Sequence, residues 1–367
     1  MDLARSLVHL GYWLGPWSAG SEEPGRSSLG RVPLEVTRRR VRLGRTEGYE
    51  LERLGGRSVG TYVVLPGLHF AGPDDPRLDR FCRVLAASGF LVIAPFIRSF
   101  CELELSPGGF DDAHAAFAHA RAEATHRGHR APAVFSISFG SRLAIELGRS
   151  ENPPSALLLF GGYAEFATTV RFAVTGKRHR HETSAARHDP LNAPVVFKNF
   201  LPELDVAEKK LLGAAWSRMV HATWGKMELK EGDRRRPAAD AIARTLPPAL
   251  RSDFYRGCCL EDGWEEWLEH GLLHGASRLS FLDGRDALRE VRCPTTVVHG
   301  RDDDVIPFSE SEKTVGLLPR PARRALHLTG LYGHTGTTRV PLADAARETA
   351  VMAQILVALA RAPLSAR

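Results

Sequence analysis

Residues 131–147 read APAVFSISFGSRLAIEL, and no other stretch restricts the fold of this chain as strongly. Ala133-Val134-Phe135 is a short apolar run of the kind that fills a strand buried on both faces. Ser136-Ile137-Ser138-Phe139-Gly140 sets small residues around a central serine, and Leu143, Ala144 and Leu147 then share one helical face. A strand, a sharp turn and a helix, with serine at the turn, form the arrangement of a nucleophile elbow, G-x-S-x-G. Bulk two residues before or after the serine would collide with the adjoining strand and helix. Ser136 stands where the pattern has its first glycine, so the motif is slightly off pattern. A serine-rich turn in any doubly wound protein could read the same way, and the elbow therefore needs companions.

The companions begin with the order of elements. Residues 32–54 alternate loosely, as antiparallel edge strands do, with arginines on the wet face. Buried strands are predicted at Thr61–Leu65, Phe90–Pro95 and Ala156–Phe160, with helices at Pro76–Ser88 and Phe110–Ala124. Such alternation implies a mostly parallel, doubly wound α/β sheet. From Tyr163 to Arg285 it stops. Helical segments at Val206–Trp224, Pro237–Thr245 and Asp253–Leu273 replace it, and an all-helical insertion between sheet strands reads as a lid over their C-terminal ends. Alternation resumes from Ala287, with a helix at Ser309–Leu318, a strand at Ala325–Leu328 and a closing helix at Leu342–Leu359. The expected division is an N-terminal helix and loop (1–30), a core (31–162 and 286–367) and a helical lid (163–285).

Composition narrows the setting. An apolar fraction of 43% over 367 residues supports a large core, and the net charge of +6 comes from arginine scattered along the chain. A nucleic-acid surface would want clustering with aromatic interleaving, so no nucleic-acid partner is expected. Five cysteines without a C-x-x-C pair argue for reduced thiols and a cytoplasmic location. No apolar run is long enough to span a bilayer. The N-terminus places Leu3, Leu7, Leu10 and Leu14 on one stripe without the features of a signal peptide, so it reads as a helix docked on the body, with an interfacial helix as the alternative. Lys177-Arg178-His179-Arg180-His181, with His188, reads as a solvated charge run, with a handle for an anionic substrate as the alternative, since the spacing fits no zinc motif.

Taken together, these motifs resemble the α/β-hydrolase superfamily over nearly the whole chain after the N-terminal loop. The segment from Ala287 to Pro307, with Cys293-Pro294-Thr295-Thr296-Val297-Val298-His299-Gly300 followed by Asp302-Asp303-Asp304, looks like the late strand and acid-bearing loop of lidded members. Nucleophile, acid and histidine then fall in the family's order. The resemblance implies Ser138 as nucleophile, Asp303 as acid, with Asp302 and Asp304 as rivals, and His334 in the loop after the last strand as base. His327 falls within that strand and reads as a packed histidine. The family's oxyanion-hole donors match the backbone N–H groups of Phe139 and Leu68, although Pro66-Gly67 stands where many members have His-Gly. Next to it, His69 reads equally as packing or as a substrate contact.

The chemistry implied is acyl transfer to Ser138, with His334 as base and then acid, Asp303 fixing its tautomer, and water releasing the acyl group. It requires no metal and no organic cofactor, and its partner is a small acyl substrate. Carboxylic-ester or thioester hydrolysis is the first reading. Acyl transfer or thioesterase action on the same triad is the second, and a binding protein that keeps the fold without turnover is the third. Phe172, Trp216, Trp224, Trp264 and Trp267 would suit an acyl or aromatic substrate, or form the core of the lid. Oligomeric state leaves no mark on the sequence.

Overall fold

The apolar runs at Thr61–Leu65 (β3), Leu91–Pro95 (β4), Ala133–Ile137 (β5), Leu157–Phe160 (β6) and Thr295–Gly300 (β7) lie at the centre of one sheet. They are apolar on both faces because both faces are covered, and alternate residues divide between two cores. Val63, Leu65, Ile93, Val134, Leu159 and Val297 face one core, while Tyr62, Val64, Val92, Phe135, Leu158 and Val298 face the other. The computed structural model describes residues 35–331 and 344–364, so the expected N-terminal helix lies outside the described residues.

The strand order is β1-β2-β4-β3-β5-β6-β7-β8, where β1 is Val36–Leu43, β2 is Thr46–Arg53 and β8 is Arg323–Thr329. β1 and β2 form an antiparallel hairpin turning at Gly44, and from β4 onward neighbours are parallel. This order and these directions are those of the α/β-hydrolase fold. Helices α1 (Pro76–Ala87) and α12 (Ala345–Arg361) cover one face, and α2 (Gly108–His126) and α3 (Gly140–Arg149) cover the other. α1 starts where Asp75 accepts hydrogen bonds from the N–H groups of Arg77 and Leu78, with Pro76 at the first helical position. The hairpin's arginines are matched by carboxylates: Arg38 meets Asp74 at 2.6 Å and Arg40 meets Glu47 at 2.7 Å.

Between β6 and β7 the chain forms helices and no strand: α4 (Phe166–Thr175), α5 (Ala193–Phe200), α6 (Lys209–Thr223), α7 (Arg236–Ala243), α8 (Pro248–Gly257), α9 (Trp264–His274) and α10 (Arg285–Arg289). The single helix expected over Asp253–Leu273 is therefore two. Gly257 ends α8 against Trp216, where a Cβ would come within 2.1 Å of the indole. Cys259 and Gly263 then take left-handed φ values of 51° and 88°, which turn the chain before α9. Trp216 and Phe172 are buried, and Trp264 and Trp267 pack against the same core, so these four aromatics serve mainly as packing.

The insertion touches the loops that follow β3, β4, β5 and β7. Trp224 stacks on His69 with ring centroids 5.6 Å apart, Phe166 meets Phe139 edge-on, and Asp189 N–H donates to the Asp304 carbonyl at 2.8 Å. After β4, the buried Asn199 of α5 accepts from Leu105 N–H at 2.8 Å and donates to the Leu103 carbonyl at 3.0 Å. Leu103 itself has a left-handed φ of 58°, which Asn199 helps to hold. Asn199→Ala would strand both backbone groups, and we expect a loss of roughly 1–3 kcal/mol in urea unfolding. An unchanged midpoint would mean that water replaces the amide.

Candidate active site

The geometry of the elbow follows from the parallel register. β5 pairs β3 through Leu65↔Ser136 and β6 through Ile137↔Phe160, so Ser138 leaves the sheet at the C-terminal edge. The chain crosses from one side of β3 to the other between β4 and β5, and in open α/β sheets such a switch point opens a crevice at that edge. Ser138 lies there, buried, with a left-handed φ of 52°. A non-glycine residue in that region costs about 1–3 kcal/mol and persists only where the surroundings enforce it. Here the Ser138 N–H donates to the Phe160 carbonyl at 2.9 Å and its carbonyl accepts from Ser141 N–H at 2.9 Å, fixing the residue on both sides.

Two glycines let the neighbouring backbone close in. A Cβ on Gly140 would lie 2.4 Å from the Pro66 carbonyl oxygen, and one on Gly67 would lie 3.2 Å from the Ser138 Cβ. The loop after β3 therefore runs directly against the elbow. It brings Leu68 N–H to the same edge as Phe139 N–H, and neither has a hydrogen-bond partner among the described residues. Phe139 begins α3 in helical conformation, and its ring packs on Tyr163 and Phe166. Ser136 is different: fully buried in β5, with a hydroxyl that has no hydrogen-bond partner among the described residues.

Across the edge, β7 ends at Gly300 and Asp303 follows, buried. Asp303 Oδ1 accepts from Val305 N–H at 2.9 Å and Ile306 N–H at 2.8 Å. Its Oδ2 lies 3.3 Å from Nε2 of His299, a fully buried histidine on β7. His299 Nε2 faces the Ile306 carbonyl at 2.9 Å and so carries the proton, leaving Nδ1 to accept from the Ser311 hydroxyl. The two rivals differ from Asp303. Asp302 is exposed, while Asp304 Oδ2 accepts from Lys230 Nζ at 2.6 Å. β8 ends at Thr329 on the same edge, pairing Gly300, but His334 lies outside the described residues. His327 sits half-buried within β8, and burial lowers its pKa.

His69, on the loop after β3, is a ring contact between Phe70 at 4.4 Å and Trp224 at 5.6 Å. Its Nδ1 accepts from Ala71 N–H at 3.1 Å, and Nε2 lies 3.5 Å from Asp75. Burial lowers the pKa of His69 more than Asp75 raises it. Cysteine nucleophiles have little support, because burial pushes the thiol of Cys101 up to about 11 and that of Cys259 up to about 12, with Cys82 and Cys258 also raised. Among the described residues, Glu50, His119 and Glu123 place possible metal-ligand atoms within 4.8 Å of one another. Arg39 already donates to Glu50 at 2.8 Å, and Arg127 approaches both carboxylates at 3.9 and 3.5 Å, so the cluster has its cations. In the histidine-rich loop, Arg178 pairs with Glu182 at 2.7 Å, in keeping with a solvated charge run.

Sequence reasoning missed His299 and Lys230. A histidine just before Gly300 was visible, but only the fold shows that it is buried beside Asp303. Lys230 carries no motif at all.

No family model matches the sequence, and no curated protein matches it. Among solved structures, the fold is similar to the acylaminoacyl peptidase of Pyrococcus horikoshii, at 11% identity over 91% of this chain and 42% of that one, with a TM-score of 0.46. It is also similar to BphD, the 2-hydroxy-6-oxo-6-phenylhexa-2,4-dienoate hydrolase of Rhodococcus sp. strain RHA1 (15% identity, 88% and 99% covered, TM-score 0.44). A third likeness is to the esterase domain of a Rhodothermus marinus protein (13% identity, 89% and 98% covered, TM-score 0.45). The chain spans about two-fifths of the length of the peptidase. Such likenesses extend to the path of the chain and no further. No helix among the described residues is long and apolar enough to cross a membrane.

Two outcomes follow from this geometry. Ser136→Ala removes a buried hydroxyl that has no partner among the described residues, so unfolding in urea should show unchanged or higher stability, by up to about 1 kcal/mol. For His69, a folded-state pKa below the unfolded value of about 6.5 means that the unfolded chain binds more protons as pH falls. Its contribution to stability is complete above about pH 6.5 and is lost as pH falls from there through the lowered folded value. His69→Gln should flatten that part of the stability–pH curve. An identical slope in the variant would assign it to other groups.

Proposed function

We propose that this chain, built on the α/β-hydrolase fold, is a serine hydrolase that cleaves a carboxylic ester or thioester through Ser138, His334 and Asp303. The observation that carries the reading is the left-handed φ of Ser138 at the strand-to-helix turn. A left-handed serine at the C-terminal edge of a parallel sheet suits attack on a carbonyl, which needs an oxygen held clear of its own backbone. Support comes also from the N–H groups of Leu68 and Phe139, which have no hydrogen-bond partner among the described residues and suit an oxyanion: negative charge developing in a dry site is the main thing to stabilise. The Asp303 carboxylate, held by two backbone N–H groups, suits the role of orienting an imidazole.

In this reading His334 takes the Ser138 proton as Oγ attacks, and Asp303 stabilises the imidazolium. The tetrahedral oxyanion points at Leu68 and Phe139 N–H. Collapse expels the alcohol or thiol, protonated by His334, and water then repeats the sequence on the acyl-enzyme. The helical insertion acts as a lid over the strand ends and supplies Trp224 to the wall beside His69. Acyl transfer to a second alcohol or thiol would use the same groups.

Fluorophosphonate labelling with mass mapping tests the assignment. Ser138→Ala should abolish labelling, whereas Ser136→Ala should keep it. Asp303→Asn should slow it by a factor on the order of 10³–10⁴, by analogy with loss of the orienting carboxylate in other triads. Equal labelling of the wild type and Ser138→Ala would remove Ser138 from the mechanism.

A further inference from the structure

The helical insertion is tied to the acid-bearing loop by a buried ion cluster that no motif announces. Lys230, in a short helical turn before α7, donates from Nζ to Asp304 Oδ2 at 2.6 Å and forms an ion pair with Asp189 Oδ2 at 2.8 Å. All three side chains are almost fully buried, at 7%, 11% and 4% exposure respectively. Asp189 is fixed in turn: its Oδ1 accepts from Leu191 N–H at 3.0 Å, and its own N–H donates to the Asp304 carbonyl at 2.8 Å. Trp224 Nε1 donates to the Leu191 carbonyl at 3.0 Å, which joins the end of α6 to the same turn.

An ion pair desolvated to this degree costs more than a surface one to assemble, so it is weak evidence for stability, and the geometry it specifies is a separate effect that can be tested. What this one specifies is the path of residues 303–306. Asp303 is held from inside by Val305 and Ile306 N–H and by His299, and Asp304, the next residue, is held from outside by Lys230. We propose that Lys230 is a positioning residue: through Asp304 and Asp189 it clamps the loop that carries Asp303, so that the insertion completes the acid side of the site as well as covering it. The role rests on the serine-hydrolase reading above, while the clamp itself does not.

The experiment separates the two. Amide exchange at Val305 and Ile306 reports directly on whether the Asp303 carboxylate is held, with no need for turnover. In Lys230→Met, exchange at these two amides should quicken while the amides of β5 and α3 keep their protection. The inactivation rate constant for fluorophosphonate at Ser138 should fall on the order of tenfold to a hundredfold, as misplacement of a positioned group predicts, with probe affinity unchanged. Since Lys230→Met removes the ammonium that Asp189 and Asp304 share, the neutral triple variant K230M/D189N/D304N provides the same comparison should the single variant not fold. Unchanged exchange at Val305 and Ile306 would overturn the clamp. Faster exchange with an unchanged inactivation constant would overturn the positioning role. A wild type that never labels at Ser138 would defeat the hydrolase reading instead, and the exchange comparison would then decide the clamp alone.

Discussion

The site depends on a close approach of backbone to backbone at the point where the sheet reverses its order. The loop after β3 and the turn after β5 meet through Gly140, whose absent Cβ leaves room for the Pro66 carbonyl, and Gly67, whose absent Cβ leaves room for Ser138. Remove either vacancy and the loop lifts, taking the Leu68 N–H with it. The left-handed conformation of Ser138 belongs to the same constraint. The turn from a buried strand into a helix is sharp enough to hold one side chain at the strand edge only if that residue leaves the ordinary regions of backbone space, and hydrogen bonds on both sides of Ser138 hold it there.

The acid side is built differently. It relies on side chains that reach in from three places: His299 from β7, Ser311 from α11 (Ser309–Leu317), and Lys230 from the insertion. Asp303 and Asp304 are neighbours in sequence but point their carboxylates to opposite supports, one to backbone N–H groups and one to an ammonium. Desolvation explains the division. A buried carboxylate must find donors, and two adjacent ones cannot share the same set. The insertion thus supplies the ammonium that Asp304 meets. Its contacts with the loops after β3, β4, β5 and β7 all fall on the edge where the parallel strands end.

Much of this was legible in the residues. Buried strands announce themselves as apolar runs: β3, β4 and β6 fell within one residue of their expected bounds, and β5 runs two residues past its apolar run, because burial on both faces leaves little freedom in composition. The elbow was legible because small residues around Ser138 have a steric cause. The adjacent edge hairpin and the strandless insertion were legible too. Less so were the ends of helices that depend on distant neighbours: the helix expected over Asp253–Leu273 breaks because Gly257 meets Trp216, and nothing near Gly257 in sequence signals that indole. His334 and the N-terminal helix lie outside the described residues, so their parts in the reading rest on sequence alone.

By itself, then, the sequence determined the α/β architecture, the serine at the strand-to-helix turn after β5 and the three aspartates in the loop after β7. Local sterics and burial act through residues close in the chain, and a linear pattern records them. Only the tertiary structure decided which of three consecutive aspartates is held by backbone N–H groups, which one is taken by a lysine, and which aromatic residues of the insertion reach the strand ends. Those outcomes are set by desolvation, and desolvation depends on which distant segments fold over a group. Lys230 lies far from Asp304 along the chain and 2.6 Å from it in space, and only the fold connects them.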